Sequence, residues 1–332
     1  MKTIAASLLA GAVLAGAAPA NAQPNVVRVP GKVVEVLGLE DWTVPMLEEA
    51  LRRKGEVSLA SHACAVALQQ IGFPAATSST TMTMGDTVEY VTLTLVEPAD
   101  SVRVRRLYLP DDTTSVRQEW SGLPARLRTQ PGRYKDALEM MAWEGHLPDM
   151  SRRDSLEIQR VWDFWKSHGT PADLALARRV LAADSGMLNR VVAASLLAYG
   201  PATDEVLHQL MHSVREQNDI VSGMAAYSLT TLARTPRRVD WAPAVDDIHA
   251  ILRGTSLWNL DEVMNALVAT GADSTHAARF LAGGGEAVLA RLDSRSEDVS
   301  GPARRFLTAL RGEDLGADPA AWRAWVASLR AE

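Results

Sequence analysis

Thr87-Val88-Glu89-Tyr90-Val91-Thr92-Leu93-Thr94-Leu95-Val96 alternates apolar and hydroxyl-bearing residues with a period of two. That is the period of a β-strand, whose successive side chains point to opposite faces of a sheet. Val91, Leu93 and Leu95 share the face that belongs to a core. The threonines between them share the other, which reads as the wet face. Working back from this strand, Gly85-Asp86 marks a turn, and Thr77 to Met84 is a threonine-rich stretch. Before that lie two helical patterns. The first opens at Thr43-Val44-Pro45, carries Met46, Leu47, Ala50 and Leu51 on one stripe and ends at Lys54-Gly55. The second is capped by Ser58, runs through Leu59, Ala63, Val66 and Ala67 to Ile71, and is stopped by Gly72 and Pro74. Lys32 to Leu37 is a short strand-like run ahead of both helices. Working forward, Glu97-Pro98-Ala99-Asp100 turns the chain, and Val102 to Leu109 reads as a last strand before Pro110. Residues 31–110 therefore form an α+β module in the order β-α-α-β-β, with both helices covering one face of a small sheet.

Val34-Glu35-Val36-Leu37-Gly38-Leu39 at the first strand, Leu47 to Leu51 in the first helix, the second helix ending Ile71-Gly72-Phe73, and Tyr90 to Pro98 at the next strand and turn resemble a POTRA domain. The resemblance covers about 80 residues. It implies a polypeptide-binding module and makes the Thr87–Val96 strand a sheet edge. Such an edge either captures an extended peptide through its unpaired N–H and C=O groups or is solvated or covered by Thr77 to Met84. Pro110-Asp111-Asp112 stands where a glycine often follows the last POTRA strand, and no β-barrel follows, so a role in membrane-protein assembly is not implied.

Residues 111–133 are rich in Asp, Thr, Ser, Pro, Gly and Arg and read as a linker. One helix, Tyr134–Glu144, completes a linking region over 111–151. From residue 152 to 332 the pattern is helix after helix with short turns: Ser155–His168, Ala172–Ala183, Leu188–Tyr199, Asp204–Glu216, Ile220–Ala233, Val245–Leu252, Leu260–Thr270, Gly285–Leu292, Pro302–Arg311 and Pro319–Arg330. Small-residue steps recur at Ala193-Ala194, Ala225-Ala226, Ala266 and Ala303, a spacing within the range of two-helix repeats, in which stacking of neighbours supplies the core. Gly285 to Leu292, Asp298 to Leu310 and the closing Asp318-Pro319-Ala320-Ala321-Trp322-Arg323-Ala324-Trp325 resemble HEAT repeats. That resemblance implies an all-α helical solenoid and a protein-binding surface. Trp162, Phe164 and Trp165 fall where the array begins and Trp322 and Trp325 where it ends. They serve either as anchors for a ligand or as plugs for the open ends.

Lys2, the apolar run Ile4 to Ala18 and Ala20-Asn21-Ala22 make residues 1–22 a secretory signal peptide, cleaved after Ala22. The expected location is periplasmic or secreted, with no integral membrane segment after cleavage. The formal charge of −6, with signs interspersed, argues against nucleic acid or an anionic membrane as the main partner. Cys64 is the single cysteine, so no internal disulfide is available, and its apolar setting reads as a buried, inert thiol.

No nucleophile elbow, H-E-x-x-H, P-loop or paired C-x-x-C occurs in the mature chain. Gly283-Gly284-Gly285 opens a helix and reads as an inter-helix turn. His62 and Cys64 are two apart on a helix and point to different sides. One constellation carries a sharper alternative. Glu205, His208, His212 and Glu216 fall on one face of the expected helix Asp204–Glu216, and two histidines four apart can chelate a divalent metal. The leading expectation is a non-enzymatic adaptor or scaffold without cofactor. It would bind a protein or peptide through the helical-repeat surface and, as a second surface, the sheet edge. The alternative is a metal-dependent factor or enzyme built on the histidine face.

Overall fold

The computed structural model describes residues 25–55, 57–61, 63–82, 88–110, 170–281 and 284–329. The expected signal peptide 1–22, the expected linking region 111–151, the expected helix Ser155–His168 with Trp162, Phe164 and Trp165, and His62 lie outside the described residues.

The N-terminal part is a mixed four-stranded sheet of β1 (Val26–Val29), β2 (Lys32–Leu37), β3 (Ala75–Met82) and β4 (Glu89–Val96), in the order β1-β2-β4-β3. β2 runs parallel to β4, with Val34 opposite Val91 and Val36 opposite Leu93; β1 and β3 are antiparallel to their neighbours. Helices α1 (Val44–Gly55) and α2 (Ala63–Gln70) join β2 to β3. They lie on one face, where Val34, Val36, Leu47, Leu51, Cys64, Leu68, Phe73, Leu93 and Leu95 form an apolar core. The second helix starts later than its sequence suggests. Ser58 and Ser61 make successive local turns, and α2 begins at Ala63.

Two expectations about this sheet are corrected. The strand containing Val91–Val96 is central, not an edge, because the threonine-rich run pairs along it from Ala75↔Val96 to Met82↔Glu89. Threonine is β-branched and suits an extended backbone, so this polar run is itself a strand. The expected last strand, Val102 to Leu109, does not form. Pro98 starts a 3-10 helix (Pro98–Arg103), both sides of β4 are already occupied, and Leu107 instead bridges to Glu216. β1 is an addition that the sequence reading does not contain.

Two buried features fix this module. The Glu97 carboxylate, 1 % exposed, accepts from the backbone N–H groups of Glu40, Asp41 and Trp42 at 2.8, 2.9 and 2.9 Å, tying the β2–α1 loop to the end of β4. Gly38 has φ +86°, and a Cβ there would stand 2.3 Å from the carbonyl oxygen of Leu95, so only glycine fits.

The C-terminal part is mostly helical. It comprises α3 (Pro171–Ala183), α4 (Met187–Leu197), α5 (Asp204–Ser213), α6 (Asp219–Ala233), α7 (Val245–Leu252), α8 (Leu260–Ala269), α9 (Ala277–Leu281), α10 (Glu286–Arg291), α11 (Glu297–Arg311) and α12 (Pro319–Ser328). Caps follow the sequence: Thr203 accepts from the N–H of Val206, Asn218 from those of Ile220 and Val221, and Asp318 from that of Ala320. α11 begins five residues before Pro302, which lies inside it. The helix α9 and the turn before it, Ser274–His276, are absent from the sequence reading. Packing runs along two lines. α3, α5, α7, α10 and α12 contact one another in succession, and so do α4, α6, α8 and α11.

The second face of the sheet is not wet, a further correction. Thr92 and Thr94 are buried, and Ala75 and Val96 belong to the same apolar cluster as the helices. Gly254, at φ +120°, allows the approach, since a Cβ there would lie 2.6 Å from Cγ2 of Val96. Glu35 on β2 accepts from the Ser294 hydroxyl and, at 3.1 Å, from the N–H of Arg295. The segment after the 3-10 helix then runs along the helices. Arg105 N–H donates to Thr255 Oγ1 at 2.9 Å, Leu107 N–H to the Arg215 carbonyl at 2.8 Å, and Gln217 N–H to the Leu107 carbonyl at 2.9 Å. Its end is fixed by Arg190, fully buried, whose Nη1 donates to the Pro110 carbonyl and whose Nε pairs with Glu216 at 3.0 Å.

Candidate functional site

β3 is one of the two edges of the sheet, and among the described residues no strand pairs with its outer side. Gln69 Nε2 of α2 donates to the carbonyl of Ala76 at 2.9 Å, which places that carbonyl on the side away from β4. In an antiparallel pair, a residue that turns its C=O outward also turns its N–H outward, and outward and inward residues alternate. Ala76, Ser78 and Thr80 therefore present backbone groups to the edge. Those of Ser78 and Thr80 have no hydrogen-bond partner among the described residues. The side-chain oxygens Ser78 Oγ and Thr80 Oγ1 are likewise buried without a partner among the described residues, and Ser78 is 8 % exposed.

This edge opens on a groove. A cavity of about 410 Å³ is lined by Val66 and Gln69 of α2, Ala76 and Ser78 of β3, and Ile220, Met224 and Trp258 from the helical part. α2 lies on one face of the sheet and the helical part on the other, so a cavity touching both passes round the β3 edge. A second cavity, about 510 Å³, lies under the sheet between Thr77, Ser79 and Thr81 on one side and Tyr227, Asp261, Glu262 and Asp298 on the other. Thr77, Gly223, Leu257 and Trp258 line both, so the two adjoin and together form a trench along β3. Val66 and Trp258 are among the exposed large apolar residues of the chain.

Asp261 and Glu262 stand in the first turn of α8, where the helix dipole favours carboxylates. Asp261 Oδ2 accepts from Arg291 Nη1 at 2.9 Å, and Arg291 Nη2 donates to the Leu257 carbonyl. Burial nonetheless pushes Asp261 above the ordinary carboxylate range. Burial also pushes Glu262 up, and the neighbouring charge of Asp261 adds to it. Asp261 Oδ1 and Glu262 Oε2 are buried without a hydrogen-bond partner among the described residues. Glu97, with three donors on its carboxylate, shows how a structural acid in this chain is satisfied; Glu262 is not satisfied in that way.

The histidine face does not assemble as the sequence suggests. Glu205 lies in the first turn of α5, its carboxyl held low by its own backbone N–H and the Thr203 hydroxyl. His208 Nε2 is 2.6 Å from the carbonyl of Asp240, and His212 Nδ1 is 3.1 Å from Asp247. Burial raises the Asp247 pKa, but hydrogen bonds from His212 and Arg215 outweigh it and hold the carboxyl below its ordinary range. Glu216 is not on the helix, which ends at Ser213; it is buried against Arg190. Among the described residues no group of three or more His, Cys, Asp or Glu side chains is placed to hold a metal ion.

Cys64 is free and buried, its thiol pushed up to about 12 by that burial. Trp322 is buried at the end of the helical part, with Trp325 edge-on at 5.9 Å. Gly285 sits at φ +83° before the six-residue α10. No helix among the described residues is long and apolar enough to cross a membrane. Comparison with protein-family models, curated proteins and solved structures finds no match to this chain.

The β3 edge and its trench are what sequence reading missed. The available signal was the pair of β-branched runs on either side of Gly85-Asp86, which is the pattern of a hairpin.

Proposed function

We propose that this chain is an exported, non-enzymatic adaptor that binds an extended polypeptide segment by strand addition to β3. In this reading the sheet module is POTRA-like, and the two lines of helices are a HEAT-like solenoid that backs the binding edge. The observation that carries the proposal is the outward-facing backbone of Ser78 and Thr80 at the mouth of a groove lined by α2, α6 and Trp258. Main-chain hydrogen bonds to such an edge supply affinity, and pockets for alternate side chains supply selectivity. The bonded segment that runs from Arg105 to Pro110 along the helices holds the sheet where the groove stays formed.

The test is fluorescence anisotropy of a labelled strand-forming heptapeptide, Thr-Thr-Val-Leu-Val-Thr-Thr, titrated with the full chain and with Thr80→Pro. Proline at 80 removes an N–H that faces the edge and spares the ladder bonds to β4, and a thermal melt of the variant beside wild type separates lost binding from lost fold. Saturable binding that weakens at least roughly tenfold in Thr80→Pro is the expected result. No binding, or equal binding by the two proteins, overturns strand addition.

A further inference from the structure

We infer that the trench along β3 selects a segment carrying a lysine or arginine, whose cationic end sits between Asp261 and Glu262. The inference rests on strand addition as proposed above and names the chemistry of the bound segment. A strand beside β3 lies about 4.8 Å from it, and every second side chain points toward the helical part. On that side the trench deepens to the first turn of α8. The charged side chains lining the trench there are Asp261, Glu262, Asp298, Arg234 and Arg291, while Arg106, Glu216 and Asp219 line the part that passes round the β3 edge. The terminal nitrogens of Arg291 donate to Asp261 Oδ2 and to the Leu257 carbonyl, its Nε has no partner among the described residues, and Arg234 lines the same cavity. Asp261 Oδ1 and Glu262 Oε2, on half-buried side chains of successive residues, are buried atoms, neither with a donor among the described residues. A buried carboxylate oxygen without a donor is costly, and a cation with several N–H groups removes that cost for both at once. The opposite wall, Thr77, Ser79 and Thr81, carries hydroxyls and no charge, so it does not oppose a cation. Trp258 and Tyr227 line the same space, beside which the aliphatic stem of a lysine or arginine is accommodated. An acidic side chain in that position would meet two like charges at close range.

The experiment uses three labelled heptapeptides, Thr-Thr-Val-X-Val-Thr-Thr with X as Lys, Leu or Glu, and the full chain as wild type, Glu262→Gln, Glu262→Lys and Thr80→Pro. Wild type should bind the Lys peptide at least roughly tenfold more tightly than the Leu peptide and should bind the Glu peptide most weakly. Glu262→Gln, nearly isosteric, should keep affinity for the Leu peptide and lose most of the Lys preference. Glu262→Lys should favour the Glu peptide over the Lys peptide. A thermal melt of each variant separates lost selectivity from lost fold. Equal affinity of wild type for all three peptides, or a Lys preference unchanged in Glu262→Gln, overturns the cation site while leaving strand addition standing, provided Thr80→Pro still weakens binding of all three. If no peptide binds wild type, strand addition fails and this inference falls with it.

Discussion

On one face of β4, Val91, Leu93 and Leu95 meet α1 and α2, helices of the same module. On the other face, Thr92, Thr94 and Val96 meet helices that begin only at residue 171. Both faces are buried, yet they are sealed differently. The first is an apolar core of side chains from sheet and helices, with the unpartnered hydroxyls of Ser78 and Thr80 at its β3 margin. The second touches the helices at Val96 and Gly254 and at Glu35 with Ser294 and Arg295, and between these contacts it leaves cavities lined by hydroxyls and carboxylates. Burial of the first kind serves stability. Burial of the second kind leaves space and unsatisfied polar atoms, which is what a binding groove needs and a core avoids.

The largest expected effect breaks this comparison open directly. Leu93→Ala removes a fully buried side chain from the apolar core and should cost about 2–5 kcal/mol. Thr94→Ala, one residue on and nearly as buried, removes a side chain that borders a cavity and should cost about 1 kcal/mol. Chemical denaturation of the two variants measures the difference. Similar losses would mean that the second face is packed as tightly as the first.

A smaller effect tests how the second face is held. Glu35→Gln weakens a charge-assisted contact to the Ser294 hydroxyl and the Arg295 N–H, and should cost about 1 kcal/mol. The loss should be local. Amide exchange at residues 294–296 should rise while that of β4 and α2 stays unchanged, because the apolar contacts of Ala75 and Val96 remain. A uniform rise across the sheet would show that Glu35 holds the module together rather than docking it.

The same contrast explains what was legible in the sequence. Local patterns survive in the structure: β2 and β4 by their alternation, α1 by its proline start and glycine stop, and Val245–Leu252 with the bounds expected for it. What failed depends on partners far away in the chain. The threonine face of β4 looks wet until residues beyond 170 cover it, and β3 looks like a loop until β4 pairs with it. Val102 to Leu109 alternates like a strand but finds no place beside β4. Glu216 looks like the last member of a polar helix face, but α5 ends three residues earlier and Arg190 draws it inside. Asp261 and Glu262 fell inside an expected helix and resembled ordinary first-turn acids; only the sheet lying over them makes them unusual.

The smallest effect follows from that last pair and has a sign opposite to that of an ordinary core mutation. Burial and the charge of Asp261 raise Glu262 above the ordinary carboxylate range in the folded protein, whereas in the unfolded chain it titrates normally. The folded state thus holds the Glu262 proton to higher pH than the unfolded state does. Stability from this group is greatest below the ordinary carboxylate range and declines as pH rises through the window between the ordinary value and the raised one. Glu262→Gln removes that decline. Thermal melts between about pH 3.5 and 7.5 should show the variant melting above wild type at neutral pH, with the gap closing as the solution is acidified. A wild type that is the more stable protein at neutral pH would mean that Glu262 is satisfied in the free protein. A groove of that kind, unlike the one described, would have nothing to gain from a bound cation.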